Sequence, residues 1–194
     1  YGIIEFYQKA TKAGIKPIIG VEVSIAPNGR FSKTGAVDEQ TFSLTLLAET
    51  TEGYKNLIRI VSDSHIEGYY HKPRVDYDLL KDFHSGIIAL SGTIYGEIPQ
   101  KILKGDNREI HEAIERYIAI FGKQHFFFEV QDHPKRQGQN EVNQKLLKLG
   151  KEFSLPVVAT SDIHYMDPDD AAAHDVLVCV GEARKVYETD RFSM

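Results

Sequence analysis

Five short apolar runs, each separated from the next by a helical or polar stretch, predict an α/β chain with a mostly parallel sheet covered by helices. The runs are continuous rather than strictly alternating, as expected of strands covered by helices. A length of 194 residues is enough to bury one sizeable core, and one domain is the expectation.

The elements follow in order. Ile3, Ile4, Tyr7 and Ala10 recur at helical spacing, and Gly14 ends that helix. Pro17 to Ile25 reads as the first strand, with Glu22 inside it. Asn28 to Gln40 is polar with two glycines and reads as a surface loop. Phe42 to Ala48 is the second strand. Thr51 is the expected N-cap of a helix reaching Ile66, with Tyr54, Leu57, Ile58 and Val61 on its inner face. Tyr69 to Asp76 is irregular, and Tyr77 to Phe83 is a short helix. Gly86 to Leu90 is the third strand, followed by helices over Glu97 to Leu103 and Glu109 to Phe121. His125 to Val130 is the fourth strand, with Phe126 to Phe128 as core rather than a base-stacking platform. Gln139 to Phe153 is a strongly amphipathic helix. Pro156 to Thr160 reads as a fifth, buried strand, and Asp169 to Val180 as the last helix.

Composition narrows the function classes. The chain is 42% hydrophobic and 26% charged, and no apolar run approaches the roughly 20 residues of a membrane span. Tyr1-Gly-Ile-Ile-Glu5 has no basic n-region and no cleavage site, so it is no signal peptide. The lack of an initiator Met makes a cut or incomplete chain the expectation. Cys179 is the single cysteine, which excludes an intramolecular disulfide and fits a reducing cytoplasm. A net charge of −5 argues against this segment gripping a nucleic-acid backbone by itself.

The polar residues at strand ends carry the functional signal. Asp162-Ile163-His164 directly follows the fifth strand. Residues two apart on a strand point the same way, so a carboxylate and an imidazole leave that strand together. Such a pair suits a divalent metal. Glu22, between Val21 and Val23, is costly among buried neighbours unless paired or bound to a cation. His71 lies in the irregular segment, Ser91-Gly92-Thr93 follows the third strand, and Gln131-Asp132-His133 follows the fourth. Sites in parallel α/β architectures gather at the carboxyl ends of strands. Each residue also has a structural reading. Glu22 fits a lysine partner, His71 an exposed loop, Asp132 and His133 structural hydrogen bonds, Asp162 an N-cap and His164 a satisfied core position. His65, His84, His111, His125 and His174 lie on helices or element edges and are not expected as ligands.

Several stretches together carry a family resemblance: Gly14-Ile-Lys-Pro-Ile-Ile-Gly-Val-Glu-Val23, Leu44-Thr-Leu-Leu-Ala48, His71-Lys-Pro-Arg-Val-Asp76, Ile88-Ala-Leu-Ser-Gly92, Glu129-Val-Gln-Asp-His133 and Val158-Ala-Thr-Ser-Asp-Ile-His-Tyr165. In order and spacing the chain resembles the polymerase and histidinol phosphatase (PHP) family, in the form carried by bacterial replicative DNA polymerases. The resemblance implies a TIM-like (β/α)7 barrel with a metal cluster at the strand C-termini. By position it makes Glu22, His71, Asp162 and His164 metal ligands, zinc being the expected ion and manganese or magnesium the alternatives. Thr93 stands where many members have cysteine and is a doubtful ligand, since a hydroxyl binds metal far more weakly than a thiolate. Lys72 and Arg74 are weak candidates for phosphate contacts, and no catalytic residue beyond the metal ligands is expected.

The family's opening H-x-H strand and D-H-G stretch have no counterpart here, so an incomplete barrel lacking its first two strands is expected. Residues 1–180 would form this domain and residues 181–194 the start of a connection to a polymerase body. The implied chemistry is metal-assisted phosphoester hydrolysis of the 3′–5′ exonuclease type. The implied partners are the rest of a polymerase alpha subunit, DNA through that parent protein, and a separate proofreading exonuclease subunit. A non-catalytic scaffold docking that subunit and a free-standing phosphatase are the alternatives. No membrane partner is expected.

Overall fold

The computed structural model describes residues 2–133 and 136–188 and resolves two compact units, residues 1–160 and 161–194. The expected connection at 181–194 lies partly outside the described residues. Unit one contains β1 (Gly20–Ile25), β2 (Phe42–Ala48), β3 (Ile87–Leu90), β4 (Phe126–Gln131) and β5 (Val157–Thr160). Its helices are α1 (Ile3–Lys12), α2 (Gly35–Glu39), α3 (Thr51–Ile66), α4 (Tyr77–Asp82), α5 (Glu97–Lys104), α6 (Asn107–Phe121) and α7 (Gln139–Phe153). Unit two contains a 3-10 turn, Pro168–Asp170, and α8 (Ala171–Glu182).

The strands lie in chain order, β1-β2-β3-β4-β5. β3/β4 and β4/β5 are parallel, as expected of strands joined through helices, whereas β1/β2 and β2/β3 are antiparallel. The expected mostly parallel sheet therefore holds for one half, and the sheet as a whole is mixed. In the other half the chain returns from β1 to β2 without a full crossover helix. Only the five-residue α2 lies between them, in the stretch read as plain loop.

The register divides the side chains between two faces, because the strand period is two. Val23, Ile25, Leu44, Leu46, Ile87, Ala89, Phe126 and Phe128 share one face and join the core with Leu57 and Ile60 of α3, Ile98 of α5, Ile114 and Tyr117 of α6, and Leu146 of α7. Burying one such aliphatic side chain contributes about 1.5–3 kcal/mol. The opposite face carries Glu22, Ser24, Ser43, Thr45, Leu90, Phe127, Glu129, Gln131 and Thr160, and none of these belongs to that core. The helices thus cover one side of the sheet, and the other side, which also carries Leu47, Ile88 and Val158, mixes polar and apolar side chains, with Leu90, Glu129 and Gln131 buried and Glu22 exposed.

Three expectations change. The N-cap of α3 is Thr50, whose hydroxyl accepts from the Gly53 N–H at 3.1 Å. Its inner face centres on Gly53, Leu57, Ile60 and Ser64, while Ile58 is exposed. Gly53 is required there, since a Cβ would sit 1.7 Å from the Gly86 carbonyl oxygen. β5 is not a buried strand: Val157 is 36% exposed although it pairs with buried Phe128 and faces Gly150 of α7, because β5 is the last strand of the sheet. α1 is amphipathic yet buries no residue. Its Ile3, Ile4 and Tyr7 line a hollow of about 510 Å³ with Pro17, Ile19 and Tyr54.

Two polar networks fasten the helical side and the long loop. Glu97 of α5 is buried, accepting from Tyr77 Oη and Arg116 Nη1, each at 2.8 Å. This ties α4, α5 and α6 together. Burial first, and the Glu97 charge second, push the Tyr77 and Tyr117 phenols well above their usual range. In the loop between β1 and β2, Asp38 accepts from Asn28 Nδ2 at 3.1 Å, Ser32 Oγ at 2.7 Å, Thr34 N at 2.7 Å and Thr34 Oγ1 at 2.6 Å. Those donors, the Thr34 hydroxyl foremost, hold the Asp38 carboxyl well below the usual carboxylate range.

Candidate metal and phosphate site

The segment from Tyr69 to Asp76 is irregular and held at both ends: before it the Gly68 N–H donates to Asp63 O at 3.2 Å, and two contacts hold its other end. Val75 forms a parallel bridge with Ile25, donating to Ser24 O at 2.9 Å. Asp76 caps α4 by accepting from Leu79 N at 3.0 Å and also holds Arg30 at 2.8 Å. Between these anchors the Tyr70 N–H donates to Lys72 O at 3.0 Å, which closes a tight turn with His71 at its tip. His71 has φ 59° there and is exposed, with Nε2 3.4 Å from Glu39 Oε1.

Arg74 corrects an expectation. Instead of facing a phosphate, its guanidinium is fully buried. Nε donates to Gly68 O at 3.0 Å, Nη1 to Asp38 O at 2.9 Å, and Nη2 to Arg30 O at 3.0 Å and Ser32 O at 2.8 Å. All four acceptors are main-chain carbonyls, so Arg74 fastens the β1–β2 loop to the segment that carries His71. Lys72 is different. It is exposed and lines a groove of about 200 Å³ along the edge strand β1, together with Glu22, Ser24, Ser64 and His65.

Glu22 is exposed rather than enclosed among apolar neighbours. Val21 and Val23 flank it in sequence but point to the opposite face of the sheet. Its carboxylate therefore stands on the face away from the core, where its desolvation cost is small. Thr93 follows β3, and its hydroxyl is engaged by Ser43 Oγ and Tyr95 N, both at 3.3 Å.

Unit two holds the last pair. Asp162 adopts a left-handed conformation, φ 46°, and its Oδ1 lies 3.1 Å from His164 Nε2. The two side chains are within hydrogen-bond distance of each other, and an imidazole nitrogen and a carboxylate oxygen are of the donor types that zinc would take. The His164 ring packs 5.3 Å from that of His174, in the first turns of α8. His71 and Asp162 are two of the four non-glycine residues at positive φ among the described residues. Such conformations cost free energy and concentrate at functional sites. Among the described residues, no group of three or more His, Cys, Asp or Glu side chains gathers to hold a metal.

Sequence reasoning passed over Glu129 and Thr160 as site residues and read Gln131 as following β4, whereas it is the last residue of that strand. Glu129 and Gln131 are 6% and 4% exposed. Thr160 Oγ1 donates to Glu129 Oε1 at 2.5 Å, and Gln131 Nε2 donates to Thr160 Oγ1 at 3.1 Å. The signal was present: two polar residues spaced by two, within a strand that begins Phe-Phe-Phe.

A mixed five-stranded sheet backed by helices on one face defines residues 1–160 as an α/β domain. Residues 1–133 match the PHP domain, and the chain belongs to the PHP domain family. It is similar to the DNA polymerase III subunit alpha of Thermus aquaticus, 41% identical over 195 residues that cover 99% of this chain and 16% of that protein. The DNA polymerase III subunit alpha of Borreliella burgdorferi is 38% identical, with 100% of this chain and 17% of that protein covered. That of Deinococcus radiodurans is 36% identical, with 99% and 14% covered. The chain thus spans about one-sixth of the length of the curated relatives it matches. No helix among the described residues is long and apolar enough to cross a membrane.

Proposed function

We propose that this chain is the PHP segment of a replicative DNA polymerase III alpha subunit, acting in the cytoplasm and contributing to a divalent-metal phosphoesterase site of the 3′–5′ exonuclease type. Similarity over nearly the whole chain to alpha subunits from several bacteria supports the polymerase assignment. The observation that carries the metal reading is the Asp162–His164 pair, with donors 3.1 Å apart at a strained backbone position. Glu22 and His71 are the further proposed ligands, zinc the proposed ion, and manganese or magnesium the alternatives. We read the mixed sheet as part of a TIM-like barrel, a fold that turns one face of its strands inward.

When bound, the metal lowers the pKa of a water and polarises a phosphoryl oxygen. The chain's own residues supply the setting. Asp162 and His164, which lie within hydrogen-bond distance of each other, would supply a carboxylate oxygen and an imidazole nitrogen. Lys72, with its exposed ammonium beside Glu22, is the residue proposed to contact phosphate oxygens. The partners proposed are the remainder of the alpha subunit and DNA reached through it.

A second reading rests on Thr93. Its hydroxyl is already engaged by Ser43 and Tyr95 and is a weak ligand where a thiolate would be strong. That favours a scaffold that docks a separate proofreading exonuclease subunit. Elemental analysis of the full protein, against an Asp162→Ala/His164→Ala control, separates the two readings. Tightly held metal lost in the control supports the hydrolytic site and leads to assays on 3′-labelled DNA. Metal at background level in the wild type leaves the scaffold.

A further inference from the structure

The turn that follows β1 carries a chemically labile pair. Asn28 precedes Gly29, the one asparagine–glycine step among the five asparagines of the chain. Both residues serve the local geometry. Ala26 to Gly29 form a turn, closed by the Gly29 N–H donating to Ala26 O at 3.1 Å, with Pro27 in its second position. Gly29 has φ 94°, a conformation that favours glycine. Asn28 is exposed, and its Nδ2 donates to Asp38 Oδ1 at 3.1 Å across the loop between β1 and β2.

Asparagine is a thermolabile residue, most of all before glycine, where no Cβ obstructs the approach of the next backbone nitrogen. The Gly29 nitrogen, its proton taken by hydroxide, attacks Asn28 Cγ. The N–Cγ bond forms, the Cγ–Nδ2 bond breaks, and Nδ2 takes up a proton and leaves as ammonia. Water then opens the cyclic imide at either carbonyl, giving aspartate or isoaspartate. The native loop opposes both partners, because the Gly29 N–H is engaged by Ala26 O and the Asn28 amide by Asp38. The backbone beyond is held as well: Arg30 N donates to Asp76 Oδ2 at 2.9 Å, and Arg74 takes the carbonyls of Arg30 and Ser32. Attack requires this turn to open first, and a reaction confined to an opened state is slowed by the opening equilibrium.

We propose that Asn28 is a site of spontaneous deamidation and that its hydrogen bond to Asp38 is the brake on the reaction. The conversion also removes the brake. It replaces an N–H donor by a carboxylate beside Asp38 Oδ1, so an attraction becomes a repulsion between like charges. Isoaspartate adds a methylene to the main chain at the same point. The carbonyls of Arg30, Ser32 and Asp38, three of the four that Arg74 collects, lie in this loop. The deamidated chain therefore opens between residues 28 and 40, in the stretch that Arg74 fastens to the segment carrying His71.

The test incubates the full protein in warm, mildly alkaline buffer, digests it at intervals and follows by mass spectrometry the amide-to-acid conversion of each asparagine. The same protein in urea gives the unprotected rate. Asp38→Ala removes the acceptor of the Asn28 amide. Thr34→Val removes one hydroxyl that holds Asp38 in place and serves if Asp38→Ala fails to fold. Thr50→Ala, which deletes the cap of α3, is the control for general destabilisation. Asn28 is expected to convert ahead of the other four asparagines, and more slowly in the native protein than in urea. Losing one hydrogen bond to an ionised acceptor should speed native conversion about 10- to 100-fold in Asp38→Ala, up to the rate in urea. Thr34→Val should fall between Asp38→Ala and the wild type, and Thr50→Ala should match the wild type. Asn28→Asp, the product made directly, should show proteolytic cuts between residues 28 and 40 that the wild type lacks. Native conversion at the rate in urea overturns the brake, as does a wild-type rate in a folded Asp38→Ala or Thr34→Val protein. Equal acceleration in Thr50→Ala also overturns it, since stability alone would then account for the change. Earlier conversion at another asparagine overturns the site itself.

Discussion

Arg74→Met removes a guanidinium that has no exposed surface and four hydrogen bonds to carbonyl oxygens. A bond from a charged donor contributes about 1.5–3 kcal/mol. The four bonds share one side chain, and deleting the charge also removes its desolvation cost, so simple addition overshoots. Stranding the carbonyls of Arg30, Ser32, Asp38 and Gly68 is therefore expected to cost about 3–5 kcal/mol. In a chain of this size each kcal/mol moves the melting temperature by about 2–4 °C, giving an expected fall of about 6–20 °C. Arg74→Lys keeps the charge, but a compact ammonium cannot span four acceptors, so it recovers less than half of the loss. Urea denaturation followed by circular dichroism gives the magnitude. Limited proteolysis gives the location, with new cuts expected between residues 28 and 40. A loss below about 1 kcal/mol would refute the argument from buried carbonyls. Stabilisation of the wild type by inorganic phosphate, abolished in Arg74→Met, would refute the burial of Arg74 itself.

Three further outcomes follow from the same contacts. Because the Tyr77 and Tyr117 phenols titrate above their usual value in the fold, the stability they contribute is complete below about pH 10. It is lost as pH rises beyond that, so the denaturation midpoint should fall between pH 9.5 and 11 in the wild type and fall less steeply in Tyr117→Phe. Asp38 titrates below its usual value. Its contribution is therefore complete above about pH 4 and is lost as pH falls further, and Asp38→Asn should flatten the acid limb of stability against pH. Gly53→Ala places a methyl against the Gly86 carbonyl and should cost about 3 kcal/mol by thermal melting, whereas an unchanged melting point would mean that α3 does not press on the start of β3.

The parts of the fold that were legible are those governed by neighbours in the chain. β2 runs from Phe42 to Ala48 and α7 from Gln139 to Phe153, as their apolar periodicity predicts. Asp162 and His164 do approach to 3.1 Å, but in an irregular stretch after β5 with Asp162 at φ 46°, and not through the strand alternation from which their common direction was expected. The errors have a different origin. Arg74 sits between exposed Lys72 and buried Val75, and nothing local distinguishes a surface arginine from one that collects four distant carbonyls. Glu22 looked enclosed because its neighbours in sequence are valines, although alternation sends them to the other face. Glu129 was legible in principle, as a carboxylate two residues before a glutamine in an aromatic strand. Its partner Thr160 was not, being 31 positions away.

The sequence by itself determined the alternation of strands and helices and the PHP resemblance, which the family match bears out over residues 1–133. These are properties of spacing along the chain. Only the tertiary structure decided that β1 to β3 run antiparallel, that the core helices gather on one sheet face, that Arg74 is a fastener, and that Glu129 and Thr160 meet. Each depends on which residues far apart in sequence come to lie opposite one another. Periodicity specifies the direction in which a side chain points, and only packing specifies what it meets there.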